Sequence, residues 1–132
     1  MYPGGWSILA GELEQSIGLK GQRLETVQVG VSHTVALSAE GQVYTWGWGD
    51  RGQLGHGDQD QLLPKRVAAL QERVCSAVAH GDHSLAVTES GALSSWGYGY
   101  QGVLGHGDDE DQLMPKRVEA LRERVCSMAT GW

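Results

Sequence analysis

From His33 the chain alternates. Val35 and Leu37 fall between Thr34, Ala36 and Ser38; Glu40-Gly41 breaks the run; then Val43 and Thr45 alternate with Tyr44 and Trp46. A period of two puts successive side chains on opposite faces and predicts strands. A short Glu-Gly break between two such runs predicts a hairpin, because glycine reaches positive φ without a steric penalty. The pattern returns at Leu85, Val87, Leu93 and Ser95, around Ser90-Gly91. Each strand pair runs into a glycine-spaced loop, WGWGDRGQLGHGD and then WGYGYQGVLGHGD, where Leu54 and Leu104 stand alone and are expected to plug the core. Pro64 and Pro115 are expected to begin a short extended piece through KRV, since proline is tolerated at a strand start. ALQERV and ALRERV read as a half turn or loop, and Val74–Val78 and Val125–Ala129 as last strands.

The two patterned stretches are near copies. His33–Asp58 and His83–Asp108, offset by 50 residues, agree at twelve of twenty-six positions. After a one-residue insertion near Asp109, Gln61–Ser76 matches Gln112–Ser127 at thirteen of sixteen. A period of about 50 residues belongs to solenoids and propellers, and four short strands per period is one propeller blade. The reading is all-β: blades of four antiparallel strands, about two and a half repeats of an incomplete propeller. Residues 1–20 are unassigned, 21–32 close a preceding partial repeat, 33–82 form one repeat and 83–132 a second, cut short before its next strand. Open ends of such a stack are expected to expose strand edges and apolar faces, giving marginal stability or self-association.

Composition narrows the function. Twenty glycines in 132 residues recur at fixed repeat positions, which argues against disorder. The formal charge of −6 disfavours direct nucleic-acid binding and anionic membranes, and no apolar run approaches a membrane span. Cys75 and Cys126 occupy equivalent positions, a blade apart, and read as small buried residues of an intracellular (cytoplasmic or nuclear) protein. No phosphate loop, nucleophile elbow or paired-histidine zinc motif occurs, so neither catalytic residues nor a cofactor are assigned.

The core W-G-x-G-x-x-G-x-L-G-H-G-D occurs twice without a break and is followed by proline, valine and leucine at set spacing. From about Leu24 to Trp132 the chain resembles the repeat of the regulator of chromosome condensation family. The resemblance implies a seven-bladed propeller whose sequence repeat runs out of step with its blades. It also implies a scaffold that offers face loops to other proteins, with a small GTPase or a chromatin protein among the possible partners. Members include an exchange factor for the small GTPase Ran, ubiquitin-ligase modules and the plant UV-B photoreceptor. Exchange in that family relies on an inserted β-hairpin, and neither repeat carries an insertion beyond the residue near Asp109. The photoreceptor's tryptophans lie on G-W-R-H-T motifs. Here the matching segments are Gly30-Val-Ser-His33 and Gly81-Asp-His83, with only Trp132 in the matching place.

Other candidates have plainer readings. His33, His83, His56 and His106 recur with their repeats, as expected of rings that satisfy buried backbone groups rather than bind metal. His80 and His83 are expected to point to different faces. Asp58, Asp60 and the run Asp108–Asp111 lack calcium-loop spacing; Asp58 and Asp108 are expected to cap their loops. Lys65-Arg66 and Lys116-Arg117 read as outward residues of edge strands that also offer a contact. The predicted protein-binding surface is therefore the face loops and these pairs. It comprises Trp48, Asp50, Arg51, Gln53, Asp58, Asp60, Lys65 and Arg66 in one repeat, and Tyr98, Tyr100, Gln101, Asp108, Asp109, Lys116 and Arg117 in the other.

Overall fold

The computed structural model describes residues 23–119. Segment 1–20, the strand at Val125–Ala129, Cys126 and Trp132 lie outside the described residues. Strands β1 (Leu24–Val29), β2 (His33–Ser38), β3 (Val43–Gly47) and β4 (Gln61–Arg66) make one sheet in that order. Strands β5 (Val74–His80), β6 (His83–Thr88), β7 (Leu93–Gly97) and β8 (Gln112–Arg117) make the second. All neighbours are antiparallel. Each blade therefore starts one strand before the histidine that heads the sequence repeat. β1 comes from the preceding partial repeat, and β5, which ends the repeat 33–82, opens the second blade.

The blades stack face to face. Val35, Leu37 and Val43 of the first sheet meet Ala77, Ala79, Ala86 and Trp96 of the second, with Val67, Leu70 and Val74 filling the space between the sheets' edges. Small residues on β5 and β6 let the sheets approach, and Trp96 supplies the bulk. Backbone bonds pin the seam at both ends: Val31 N–H donates to the Gly81 carbonyl at 2.8 Å, and Val74 N–H to the Gly41 carbonyl at 2.9 Å. The predicted turn forms as expected, with Gly41 at φ 83° and its N–H on the Ser38 carbonyl. Leu54 and Leu104 are buried plugs.

Three expectations need correction. Pro64 and Pro115 do not start strands; they sit fourth in β4 and β8. Both are edge strands, and their registers jump between Thr45 and Gly47 and between Ser95 and Gly97, so each proline falls in a bulge where no N–H is needed. Cys75 is exposed rather than buried. The β5 register skips between Val74 and Ser76, leaving Cys75 as the extra residue of a bulge, turned out of the core. His80 and His83 pair across the tight β5–β6 turn, and their rings lie 5.7 Å apart instead of on separate faces. ALQERV forms an irregular connection anchored by buried Leu70.

Candidate functional site

Each glycine loop is held by the same three bonds. In the first blade the Thr45 hydroxyl donates to the Leu54 carbonyl at 2.7 Å, which leaves its oxygen to accept from His56 Nε2 at 2.8 Å. Ser95, Leu104 and His106 repeat this at 2.7 and 3.0 Å. The loop mouth is then closed by a carboxylate: Asp60 Oδ1 accepts the Gly49 N–H at 2.8 Å, and Asp111 Oδ1 the Gly99 N–H at 2.9 Å. His56 and His106 thus bond hydroxyls, and His56 also bonds the Lys65 backbone, as expected of these rings. Burial, with Lys65 nearby, lowers the His56 pKa and keeps the ring neutral.

A second network crosses the seam. Ser84 Oγ donates to the Gln53 carbonyl at 2.9 Å and so accepts from His33 Nε2 at 2.7 Å. Gln53 Nε2 donates to Ser32 Oγ at 3.0 Å, and Ser32 Oγ donates to Asp82 Oδ1 at 2.8 Å. Burial drives the His33 pKa down to about 4, against the pull of Asp82, so the ring is neutral with its proton on Nε2. This network locks the blades; it presents nothing to a ligand.

Above it lies a patch that does face solvent. The Arg51 guanidinium reaches across to the second blade, where its carbon sits 4.4 Å from the centre of the Tyr98 ring. Its Nη1 lies 3.6 Å from Asp111 Oδ2. Tyr100 stacks on Tyr98 with ring centres 4.7 Å apart and planes 28° off parallel. Asp111 uses one oxygen to close its own loop and the other to hold Arg51, so the cation is fixed by the second blade's loop. A guanidinium over an aromatic face gains about 0.5–1 kcal/mol at exposed sites, and here it also keeps two loops in register.

The predicted contact residues divide accordingly. Arg51, Tyr98 and Tyr100 come together, and Gln101 lies in the short 3₁₀ turn Tyr100–Gly102 beside them. Trp48 is 65% exposed, but it lines a recess on the outer face of the first blade instead. Gln53 is buried at the seam and is not a contact residue. Asp50, Asp58, Asp60 and Asp109 are exposed. Asp108 caps its loop through the Glu110 N–H at 3.0 Å, whereas Asp58 takes only the Gln59 side chain. Lys65, Arg66, Lys116 and Arg117 are exposed on β4 and β8, the outer edge of each sheet, with Lys65 beside His56 of the first loop. Asp111, within the predicted face loop, stands 51 residues after Asp60, the offset of the whole second half of the repeat. Among the described residues no three His, Cys, Asp or Glu side chains are grouped to hold a metal ion. No helix there is long and apolar enough to cross a membrane.

The family model for the regulator of chromosome condensation repeat matches residues 40–87 and 90–132, and a second model of the same repeat matches 25–53. The chain belongs to the regulator of chromosome condensation repeat family. Among its relatives, the ultraviolet-B receptor of Arabidopsis thaliana is 40% identical over 114 residues, covering 85% of this chain and 26% of the receptor. The human E3 ubiquitin-protein ligase HERC2 is 49% identical over 53 residues, which is 39% of this chain and 1% of the ligase. Of solved structures, Saccharomyces cerevisiae Prp20p superimposes with a TM-score of 0.69 at 25% identity, over 76% of this chain and 26% of Prp20p; that structure is described together with binding to Gsp1p and histones. Human WBSCR16 gives 0.62 at 29% identity over 71% and 25%. The chain thus spans about a quarter of the receptor and of these structures.

Proposed function

We propose that this chain is a non-catalytic, intracellular protein-binding scaffold, and that its contact surface is centred on Arg51, Tyr98 and Tyr100. The observation that carries the reading is the guanidinium placed between the Tyr98 ring and Asp111. A cation and two stacked aromatic rings, held by loops on two interlocked blades, form a small solvent-facing patch that loses little entropy on binding. Arginine and tyrosine are the residue types that dominate binding energy at protein interfaces. Asp50, Asp108 and Asp109 add acidic character to the surrounding loops and favour a partner that carries basic residues. The structural neighbour Prp20p is described with its binding to Gsp1p and histones, and a small GTPase and a basic chromatin protein are the first two partners to try. The exposed free thiol of Cys75 suits a reducing compartment.

The test is calorimetric titration of the chain with a Ran-type GTPase and with core histones, beside the double variant Arg51→Ala/Tyr100→Ala. The expected result is binding to one of them that weakens at least about tenfold in the variant. Undiminished binding in the variant would move the contact elsewhere, and binding to neither would discard both partner classes. Nucleotide release from the GTPase, followed in the same samples, separates exchange activity from simple docking. The light-sensor alternative has less behind it: the two positions that would carry its tryptophans hold Val31 and Asp82.

A further inference from the structure

The outer mouth of the seam between the two blades is open although both of its walls are in place. The loop 52–57 reaches from the first blade to the second, where the Gly57 N–H donates to the Leu113 carbonyl at 3.0 Å. A methyl group on Gly57 would still meet nothing within 4 Å, so space is left beside that bond. On one side the His56 ring bonds the Lys65 backbone and ties β4 to the loop. Lys65 pairs with Thr45, whose neighbours on that face, Val35 and Val43, pack on the second blade. Lys65 therefore lies on the face of β4 that looks toward the second blade, and by alternation Leu63 lies there too. On the other side Arg117 pairs with Ser94, on the Trp96 face of β7, which meets the first blade. Leu113 turns to the same seam, since a methyl group on Gly52 would stand 2.9 Å from its Cδ2.

All four side chains stay open with the seam packed. Leu63 is 59% exposed and Leu113 41%, and Lys65 and Arg117 are exposed as well. Neither cation makes an ion pair among the described residues. Two like charges thus flank one cleft with no anion between them. Each strand runs from its leucine to its cation, so the mouth is apolar beside the loops and basic further down. Asp58 and Asp60 precede β4, at the leucine end.

We propose that this mouth binds an extended acidic segment of a partner protein, with an apolar side chain between Leu63 and Leu113 and carboxylates on Lys65 and Arg117. A carboxylate accepts from an ammonium and, as a fork, from a guanidinium, and its charge relieves the repulsion between the two cations. The four side chains look toward one another across a seam, which suits a single chain and not a flat surface. Addition of a strand to the edge of β4 or β8 is not the mode, because each edge is interrupted by a proline and a bulge. The site stands apart from the reading of the Arg51 patch: it lies on the rim, and it takes the opposite charge from the one the acidic loops favour.

Fluorescence anisotropy on the 132-residue chain tests this with the labelled peptide LEELEEL, in which a leucine and a glutamate two residues apart match the spacing of Leu63 and Lys65. The chain should bind it, and should bind neither LQQLQQL, which lacks the charge, nor SEESEES, which lacks the apolar anchors. Lys65→Glu/Arg117→Glu should weaken binding by at least about fivefold, since two attractions become two repulsions, and Leu63→Ser should weaken it as well. These side chains are exposed, so circular dichroism should match the wild type. Arg66→Glu/Lys116→Glu changes the net charge by the same amount on the opposite faces of the same strands and should leave binding as it was. A wild type that binds LEELEEL no better than LQQLQQL would overturn the proposal. Equal losses in the two charge-reversed variants would overturn it too, and would assign binding to the overall charge. Binding to phosphatidylserine vesicles, weakened alike by both variants, would overturn it in favour of a lipid surface.

Discussion

The loops 52–57 and 102–107 have nearly the same sequence, the same internal bonds and the same left-handed glycines. Residues 52–55 of the first are nonetheless all buried, while in the second only Leu104 is. The same holds for Trp46, which is partly open, and Trp96, which is closed. Nothing in either repeat decides this. Burial is set by the neighbour, because a blade's loop finishes the next blade's core and not its own. In a stack of repeats, stability is a sum of unit terms and interface terms, and these two blades differ almost wholly in the second.

The largest break in the comparison should come from the tryptophans. Trp96→Ala removes a fully buried ring from the seam and should cost about 3–5 kcal/mol. Trp46→Ala should cost about 1 kcal/mol in dilute solution, where only part of the ring is covered. Urea denaturation of both variants measures the gap. Equal losses would mean that the two rings are covered alike.

Acid should act mainly on the closed seam. His33 has a folded pKa of about 4 against an ordinary 6.5, because burial opposes its charge. Between those values the unfolded chain takes up a proton that the folded chain refuses. Its contribution is therefore complete above about pH 6.5 and is lost as pH falls through that window toward 4, by roughly 3 kcal/mol in all. Burial also lowers His83 and His56, which adds to the same slope. Denaturation midpoints taken across the window should fall steeply for the wild type. They should fall less for His33→Gln, whose amide can still donate to Ser84. Identical slopes would show that the seam histidine is not the group titrating.

Glycines 52 and 102 isolate the interface term. Both have positive φ (81° and 69°), so alanine carries a similar backbone penalty, about 1–2 kcal/mol, at either place. At Gly52 the new methyl would also press to 2.5 Å from the Gln112 carbonyl oxygen, and at Gly102 it has room. Gly52→Ala should therefore be worse than Gly102→Ala by about 1–3 kcal/mol, the usual range for overpacking. Thermal melts of the pair read that difference directly.

Much of this fold was legible in the sequence, because period two and the 50-residue copy are local signals. Both hairpins, the leucine plugs and the four-stranded blade follow from them. The bulges were not legible: whether Cys75 points in or out depends on one skipped partner between Val74 and Ser76, and Pro64 fits mid-strand only because β4 is an edge. The site was half legible. Loop variation singled out Arg51, Tyr98 and Tyr100, but Gln53 looked equally variable and is buried, since no pattern within one repeat shows what the next repeat covers. The tie from Asp111 to Arg51 was not legible, because it crosses between blades and the insertion near Asp109 shifts Asp111 one residue out of the first register.

The smallest effect would sharpen the comparison most finely. Arg51 in the first loop has Gln101 as its counterpart in the second, so the cation that bridges the seam is not repeated in the second loop. Arg51→Gln, which makes the loops alike, should cost about 0.5–1 kcal/mol, because both Arg51 and Asp111 are partly exposed and the pair is screened. A double-mutant cycle with Tyr98→Leu should recover about the same coupling, reduced in high salt as Asp111 is screened. No coupling in the cycle would mean that the guanidinium and the ring do not hold each other, and that the seam owes nothing to the difference between Arg51 and Gln101.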